Sequence, residues 1–233
     1  FVYVDIATDV VKALNMAGYI VEMPLGQACC GAPATYMGDV ENAKKAAELN
    51  LNAMEAEKYD YIVSACPTCT HALRDYVDFF KDDPEMLKKA EALRSKTFDF
   101  CKLVSMLGGL PDTGDGVPMK VTYHDSCHLN RYLGVTKEQR ELLKATKGVE
   151  LIEMHDCDKC CGFGGSYSVK FPEMSAPILE EKINNIVASG ADVVAVDCPG
   201  CLLQIRGGLD ARGLNNIQVK HTAQIVVEKR EKK

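Results

Sequence analysis

The sequence predicts an α/β protein made of two pseudo-repeated, cysteine-rich halves, each with a short parallel sheet. Two observations carry this prediction: a block of cysteine motifs occurs twice in the same order, and strand-like apolar runs alternate with amphipathic, helix-like segments. Such alternation is typical of parallel strands joined by helical crossovers. The 233 residues suit two small domains. We place the first repeat and a linker at 1–118 and the second repeat at 119–233.

The duplicated block joins an adjacent cysteine pair to a Cys-Pro-x-Cys motif. In the first half the pair is at 29–30 and the motif at 66–69, and in the second half they are at 160–161 and 198–201. The pair and the motif are separated by 35 residues in the first half and by 36 in the second. A shared order at nearly the same spacing indicates an internal duplication.

Each repeat predicts a helix after the cysteine pair and a strand before the Cys-Pro-x-Cys motif. Helical periodicity places apolar side chains on one face of 41–57 and of 175–189. The apolar runs 61–63 and 193–196 predict buried strands. Each motif then lies between a strand and a helix, at the edge of the sheet where ligand sites gather.

The segment 81–118 predicts the connection between the halves. We expect helices at 84–96 and 98–107 and a glycine-rich loop at 108–116. A strand through 121–123 then opens the second half.

The second half provides five cysteines in one pattern: Cys127, Cys160, Cys161, Cys198 and Cys201. Thiolates hold iron–sulfur clusters, usually four to each [4Fe–4S] cluster. A fifth thiolate is more than an ordinary cubane takes, which permits an unusual cluster with an extra or bridging thiolate. Gly162, directly after the adjacent pair, permits the sharp bend that aims two neighbouring thiolates at different irons.

The first half provides four corresponding cysteines: Cys29, Cys30, Cys66 and Cys69. No cysteine in residues 1–28 corresponds to Cys127. The sequence starts at Phe1 in the middle of a strand-like pattern, which we interpret as an N-terminal truncation. The sequence therefore leaves open whether the chain holds one cluster or two.

Composition and charge exclude several classes of protein. The net charge is −6 and no basic stripe is interleaved with aromatic residues, so nucleic acid is not an expected partner. No apolar run approaches the roughly 20 residues of a transmembrane helix, and no signal peptide is visible. We therefore expect a cytoplasmic protein that touches a membrane, if at all, through its partners. Eleven cysteines, some adjacent, favour metal binding over disulfides in such a protein.

Other interpretations of the cysteines and histidines remain open. Structural zinc takes four nitrogen or sulfur ligands, so a zinc-stabilised interaction module is one alternative. Cys-Pro-x-Cys between strand and helix is also typical of thiol–disulfide enzymes. We expect Cys101 to be a small, buried, apolar side chain. Cys157 has no counterpart in the first half, and we assign it no ligand role. His124 and His128, which flank Cys127, are candidates either for proton transfer or for orienting a loop.

The motifs at 127, 160–162 and 198–201 resemble the cysteine-rich CCG domain. This domain occurs twice in the B subunit of heterodisulfide reductases and in the iron–sulfur subunits of glycolate, lactate and anaerobic glycerol-3-phosphate dehydrogenases. The stretches 123–129 and 160–165 are most similar to the glycolate oxidase iron–sulfur subunit.

The resemblance implies an oxidoreductase subunit that is active within a complex. It implies [4Fe–4S] clusters, noncubane in heterodisulfide reductase, that pass electrons from a flavoprotein 2-hydroxy-acid dehydrogenase to a quinone or another acceptor. A ferredoxin-like module or subunit is a further implied partner. The alternative that it implies is reduction of a disulfide at a noncubane cluster.

Overall fold

The computed structural model describes residues 3–111 and 116–230. In this part of the chain the helices are α1 Val4–Met16, α2 Ala32–Tyr36, α3 Val40–Met54, α4 Pro67–Asp75, α5 Pro84–Lys96, α6 Phe100–Met106, α7 Glu138–Lys144, α8 Tyr167–Lys170, α9 Pro172–Ser189, α10 Pro199–Ala211 and α11 Thr222–Arg230. The strands are β1 Ile62–Ser64, β2 Thr97–Asp99, β3 Met119–His124, β4 Val149–Leu151, β5 Val193–Val196 and β6 Gln218–His221.

The strands form two parallel sheets. β1 pairs with β2, and the second sheet has the order β4-β3-β5-β6 with every neighbouring pair parallel. All four residues of β5 are buried, as expected for a strand covered by helices on both faces. The predicted α/β class with two repeated halves and short parallel sheets is confirmed.

The predicted helix at 98–107 is wrong at its start. Thr97–Asp99 is a strand, in register with β1 through Val63 and Phe98, and the helix begins only at Phe100. Helix α5 runs directly into this strand with no turn residue between them, so the sequence gives no local sign of the change. The segment 81–118 therefore completes the first sheet instead of merely connecting the halves. The middle of the predicted loop, 112–115, lies outside the described residues.

The two halves share their hydrophobic cores. Helix α1 packs along α11, and Ile6 lies in one cluster with Ile186 and Val194 of the second half. A second cluster contains Val10 of α1, residues of α6 and Ala223 of α11. Because apolar burial is the main favourable term in folding, this sharing holds the two halves together along one seam.

None of the helices in 3–111 and 116–230 combines the length and the apolar character that a membrane crossing requires.

Candidate metal centres

The two Cys-Pro-x-Cys motifs occupy equivalent places at the carboxyl ends of β1 and β5. Cys66 follows β1 and Cys198 follows β5, each in extended conformation as the residue before a helix. Pro67 and Pro199 then begin α4 and α10, where the missing amide costs no hydrogen bond. The backbone therefore turns at both motifs in the same way, as the repeat predicted.

The adjacent cysteine pairs bend at the glycine that follows each of them. Gly31 and Gly162 have φ of 80° and 84°, a region that favours glycine because it has no Cβ. The amide of Gly162 donates to the sulfur of Cys160 over 3.3 Å. Such amide contacts to sulfur are one means by which a protein tunes an iron–sulfur cluster.

Thiol contacts connect the cysteine sites of the two halves. Each thiol shifts the pKa of the next one in the order Cys29, Cys30, Cys69, Cys66, Cys198, Cys201, Cys161 and Cys160. The contact between Cys66 and Cys198 crosses the seam. The thiols of the two predicted sites therefore influence each other across the seam.

Neighbouring thiols shift each other's acidity in opposite directions. The hydrogen bond from Cys69 lowers the pKa of Cys30 to about 6, and the contact with Cys198 raises the pKa of Cys66 to about 12. Neighbouring thiols cannot all ionise by themselves, because the negative charge of each thiolate disfavours ionisation of the thiol beside it. A bound metal removes this limit, since coordination deprotonates a thiol outright.

The second-half cysteines are more deeply enclosed than those of the first half. Cys161 is 1% exposed, and Cys198 and Cys201 are also buried. In contrast, Cys30, Cys66 and Cys69 are only partly buried. Cys29 and Cys160, the first member of each pair, are exposed, so each group of thiols reaches the surface at one point.

Cys127 follows β3 and is half-buried, near enough to Cys198 and Cys161 for their charges to raise its pKa, after the larger effect of burial. The charges of the second-half cysteines therefore act on one another, and the sulfurs of Cys161 and Cys201 lie within 4.8 Å of each other. All eleven cysteines of the chain lie in the described ranges, and none of them forms a disulfide. A set of unpaired thiols around the buried Cys161, Cys198 and Cys201 fits an iron–sulfur cluster.

The two remaining cysteines have other neighbours. Cys101 is fully buried in α6, as predicted, and its sulfur lies 3.5 Å from Oδ1 of Asp197. Cys157 lies 3.4 Å from Oδ2 of Asp125 and 3.4 Å from Nη2 of Arg140, which itself pairs with Asp125. These contacts tie Cys157 to an ion pair beside the thiol group.

The two candidate histidines have different surroundings. His128 is half-buried, with Nε2 2.9 Å from the hydroxyl of Tyr36 and Nδ1 3.7 Å from the sulfur of Cys127. Its burial lowers its pKa. His124 is fully buried at the end of β3, beside Cys161 and Cys201. Each histidine therefore lies next to the cysteines, but only His128 contacts both halves.

His221 is a structural link that the sequence did not reveal. The amide of Ala223 donates to Nδ1, so Nε2 carries the proton, and Nε2 lies 3.0 Å from the carbonyl of Ala65 and 3.2 Å from that of Asp197. These are the carbonyls immediately before Cys66 and Cys198. One buried imidazole thus ties the two Cys-Pro-x-Cys motifs together across the seam.

Comparison with known proteins agrees with the repeat. The model of a family described as a cysteine-rich domain, CCG, matches residues 3–74 and 121–206. The chain is 39% identical over 228 residues to lactate utilization protein A of Shouchella clausii, covering 97% of this chain and 94% of that protein. It is 36% identical over 223 residues to lactate utilization protein A of Bacillus subtilis, covering 95% and 92% respectively. Two CCG motifs, together with these matches over nearly the whole chain, place the protein in the CCG cysteine-rich domain family.

Proposed function

We propose that this chain is the iron–sulfur electron-transfer subunit of an oxidoreductase that acts on lactate or a similar 2-hydroxy acid. Electrons enter from a flavoprotein dehydrogenase partner and leave to a quinone or another acceptor. The observation that carries the proposal is that the two Cys-Pro-x-Cys motifs meet at the seam, where Nε2 of the buried His221 lies 3.0 Å from the carbonyl before Cys66 and 3.2 Å from the carbonyl before Cys198. The names of the relatives, which refer to lactate utilization, support the choice of substrate.

The residues divide into two ligand sets. Cys29, Cys30, Cys66 and Cys69 would hold one cluster, and Cys127, Cys160, Cys161, Cys198 and Cys201 would hold the other. Iron–sulfur clusters supply reversible electron transfer at potentials set by hydrogen bonds and solvent exposure. The chain itself contributes burial around Cys161, Cys198 and Cys201 and the Gly162 amide beside Cys160. The exposed thiols of Cys29 and Cys160 suit entry and exit points at the surface.

A zinc-stabilised module accounts less well for this arrangement. A structural zinc ion takes about four ligands, whereas the second half alone provides five cysteines in one pattern. A thiol–disulfide enzyme would use a single Cys-Pro-x-Cys pair and leave both adjacent pairs without a role.

The first experiment is to measure iron and acid-labile sulfide on protein purified without air. We expect about eight irons and as many sulfides per chain for two [4Fe–4S] clusters, and about four for one. Cys69→Ser and Cys201→Ser occupy equivalent places in the two repeats, and each should lower the iron content of its own half. Zinc without sulfide would contradict the proposal.

A second measurement separates the two redox roles. Reduced lactate- or glycolate-oxidising flavoprotein should bleach the cluster absorbance on anaerobic mixing. If the dithionite-reduced chain instead cleaves a low-molecular-weight disulfide with no flavoprotein present, the disulfide-reducing role is correct and the electron-transfer role is wrong.

A further inference from the structure

His124 is a buried imidazole whose ring nitrogens have no hydrogen-bond partner. It is the last residue of β3, and 1% of its surface is exposed. Within 3–111 and 116–230, neither Nδ1 nor Nε2 finds a nitrogen or oxygen atom at hydrogen-bond distance. Burying a polar group without a partner is unfavourable. A side chain in this state indicates that a group absent from the protein atoms completes its surroundings.

The atoms that face His124 are sulfurs of the second thiol group. One of its ring nitrogens and the sulfurs of Cys161 and Cys201 all lie within 4.8 Å of one another. All three side chains are buried.

Strand pairing fixes the position of the imidazole. β3 lies between β4 and β5, and His124 is in register with Val196, two residues before Cys198. The side chain therefore projects from a central strand of the sheet, next to the strand that leads into the Cys-Pro-x-Cys motif. A rigid strand positions a ligand more accurately than a loop does.

We propose that His124 is a nitrogen ligand to iron in the cluster of the second half. This inference rests on the proposed function, because it requires an iron–sulfur cluster there. Imidazole is an established iron ligand in clusters of mixed histidine and cysteine coordination, where it raises the reduction potential relative to all-cysteine ligation. His124 would then make the cluster of the second half easier to reduce than ligation by cysteine alone would.

The test is nitrogen hyperfine spectroscopy of the paramagnetic cluster in protein purified without air. We expect a hyperfine coupling typical of directly bonded nitrogen. When the protein contains histidine labelled with the heavy nitrogen isotope, the coupling should scale with the ratio of the nuclear moments of the two isotopes. The coupling should disappear in His124→Ala and persist in His155→Ala, a variant of an exposed histidine in the same half. It should also persist in His128→Ala, which removes the histidine beside Cys127.

A second variant keeps the experiment decisive if His124→Ala loses its cluster. His124→Cys offers a thiolate at the same place and should retain the iron content of the wild type, lose the nitrogen coupling and lower the reduction potential. The inference is overturned if the wild-type cluster shows no coupling from bonded nitrogen, or if the coupling survives in either His124 variant. Zinc without sulfide in the wild type would instead overturn the proposed function itself.

Discussion

The stretch before the cysteine pair has the same sequence pattern in both halves but a different structure in each. In the second half, Val149–Leu151 is a strand paired with β3, and Met154 is 4% exposed. In the first half, residues 19–24 form no strand, and Ile20 and Met23 are 93% and 63% exposed. Gly18 and Gly148, which precede the two stretches, have nearly the same φ of 87° and 84°.

The difference arises from strand pairing, not from local sequence. β3 lies between β4 and β5 and pairs with both. Within the described residues of the first half, no strand lies between 19–24 and β1, so this stretch has no neighbour to bond with. Strand formation depends on such neighbours more than on intrinsic preference. The same missing neighbour leaves Cys30, Cys66 and Cys69 more open than their counterparts.

The largest expected difference between the two stretches is the loss of stability when their equivalent methionines are truncated to alanine. Met154→Ala removes a buried side chain from the core and should lower the free energy of unfolding by about 2–5 kcal/mol. Met23→Ala, on the exposed counterpart, should change it by about 0.5 kcal/mol or less. Urea unfolding of both variants under anaerobic conditions measures the difference. Equal losses would mean that 19–24 is covered in solution as 149–154 is.

The glycines that follow the two cysteine pairs allow the two halves to be compared at the candidate metal sites. A Cβ on Gly162 would lie 2.8 Å from the carbonyl oxygen of Ser175, whereas a Cβ on Gly31 would lie 3.2 Å from that of Ala43. Both substitutions strain a left-handed backbone, but only the first forces a backbone clash. We expect Gly162→Ala to cost about 3 kcal/mol of stability and Gly31→Ala about 1–2 kcal/mol.

The iron content of the same two variants provides an independent measurement. Gly162→Ala should lose cluster from the second half, because the amide of Gly162 contacts Cys160 and the bend aims both thiolates. Gly31→Ala should retain most of the iron of the first half. A greater loss from Gly31→Ala would contradict the view that the second half is the more tightly constrained site.

The cysteine motifs and the main elements were predictable because their signals are local and occur twice. The Cys-Pro-x-Cys motifs begin helices where expected, and α5 has the predicted bounds. Strand β2 was missed because its three residues pair with β1 and carry no turn signal. The contacts of His124 and His221 depend on distant segments meeting at the seam, so no spacing in the sequence reveals them.

The ends of β2 and β6 show how the two halves use one position differently. Asp99 is in register with Ser64 of β1, and His221 is in register with Val196 of β5, so the two residues are equivalent in the repeat. His221 uses Nε2 to join the two motifs. Asp99 accepts the amide of Lys102 at 2.8 Å through Oδ1, while Oδ2 has no partner among the described residues.

This buried carboxyl predicts a dependence of stability on pH. Burial, followed by the charge of Asp197, raises the pKa of Asp99 from 3.8 to about 8. Between these values the folded state keeps a proton that the unfolded state releases. The free energy of unfolding therefore falls as pH rises, by up to about 1.4 kcal/mol per pH unit from this group.

Asp99→Asn keeps a side-chain oxygen for the Lys102 amide and removes the titration, so its stability should vary less with pH. Between pH 6 and 7 the wild type should lose up to about 1.4 kcal/mol more than the variant, a difference that urea unfolding at the two pH values measures. Asp83→Asn, at an exposed helix-capping aspartate, is the matched control and should follow the wild type. Identical slopes for Asp99→Asn and wild type would show that Asp99 is ionised in the folded protein and that a positive group balances it.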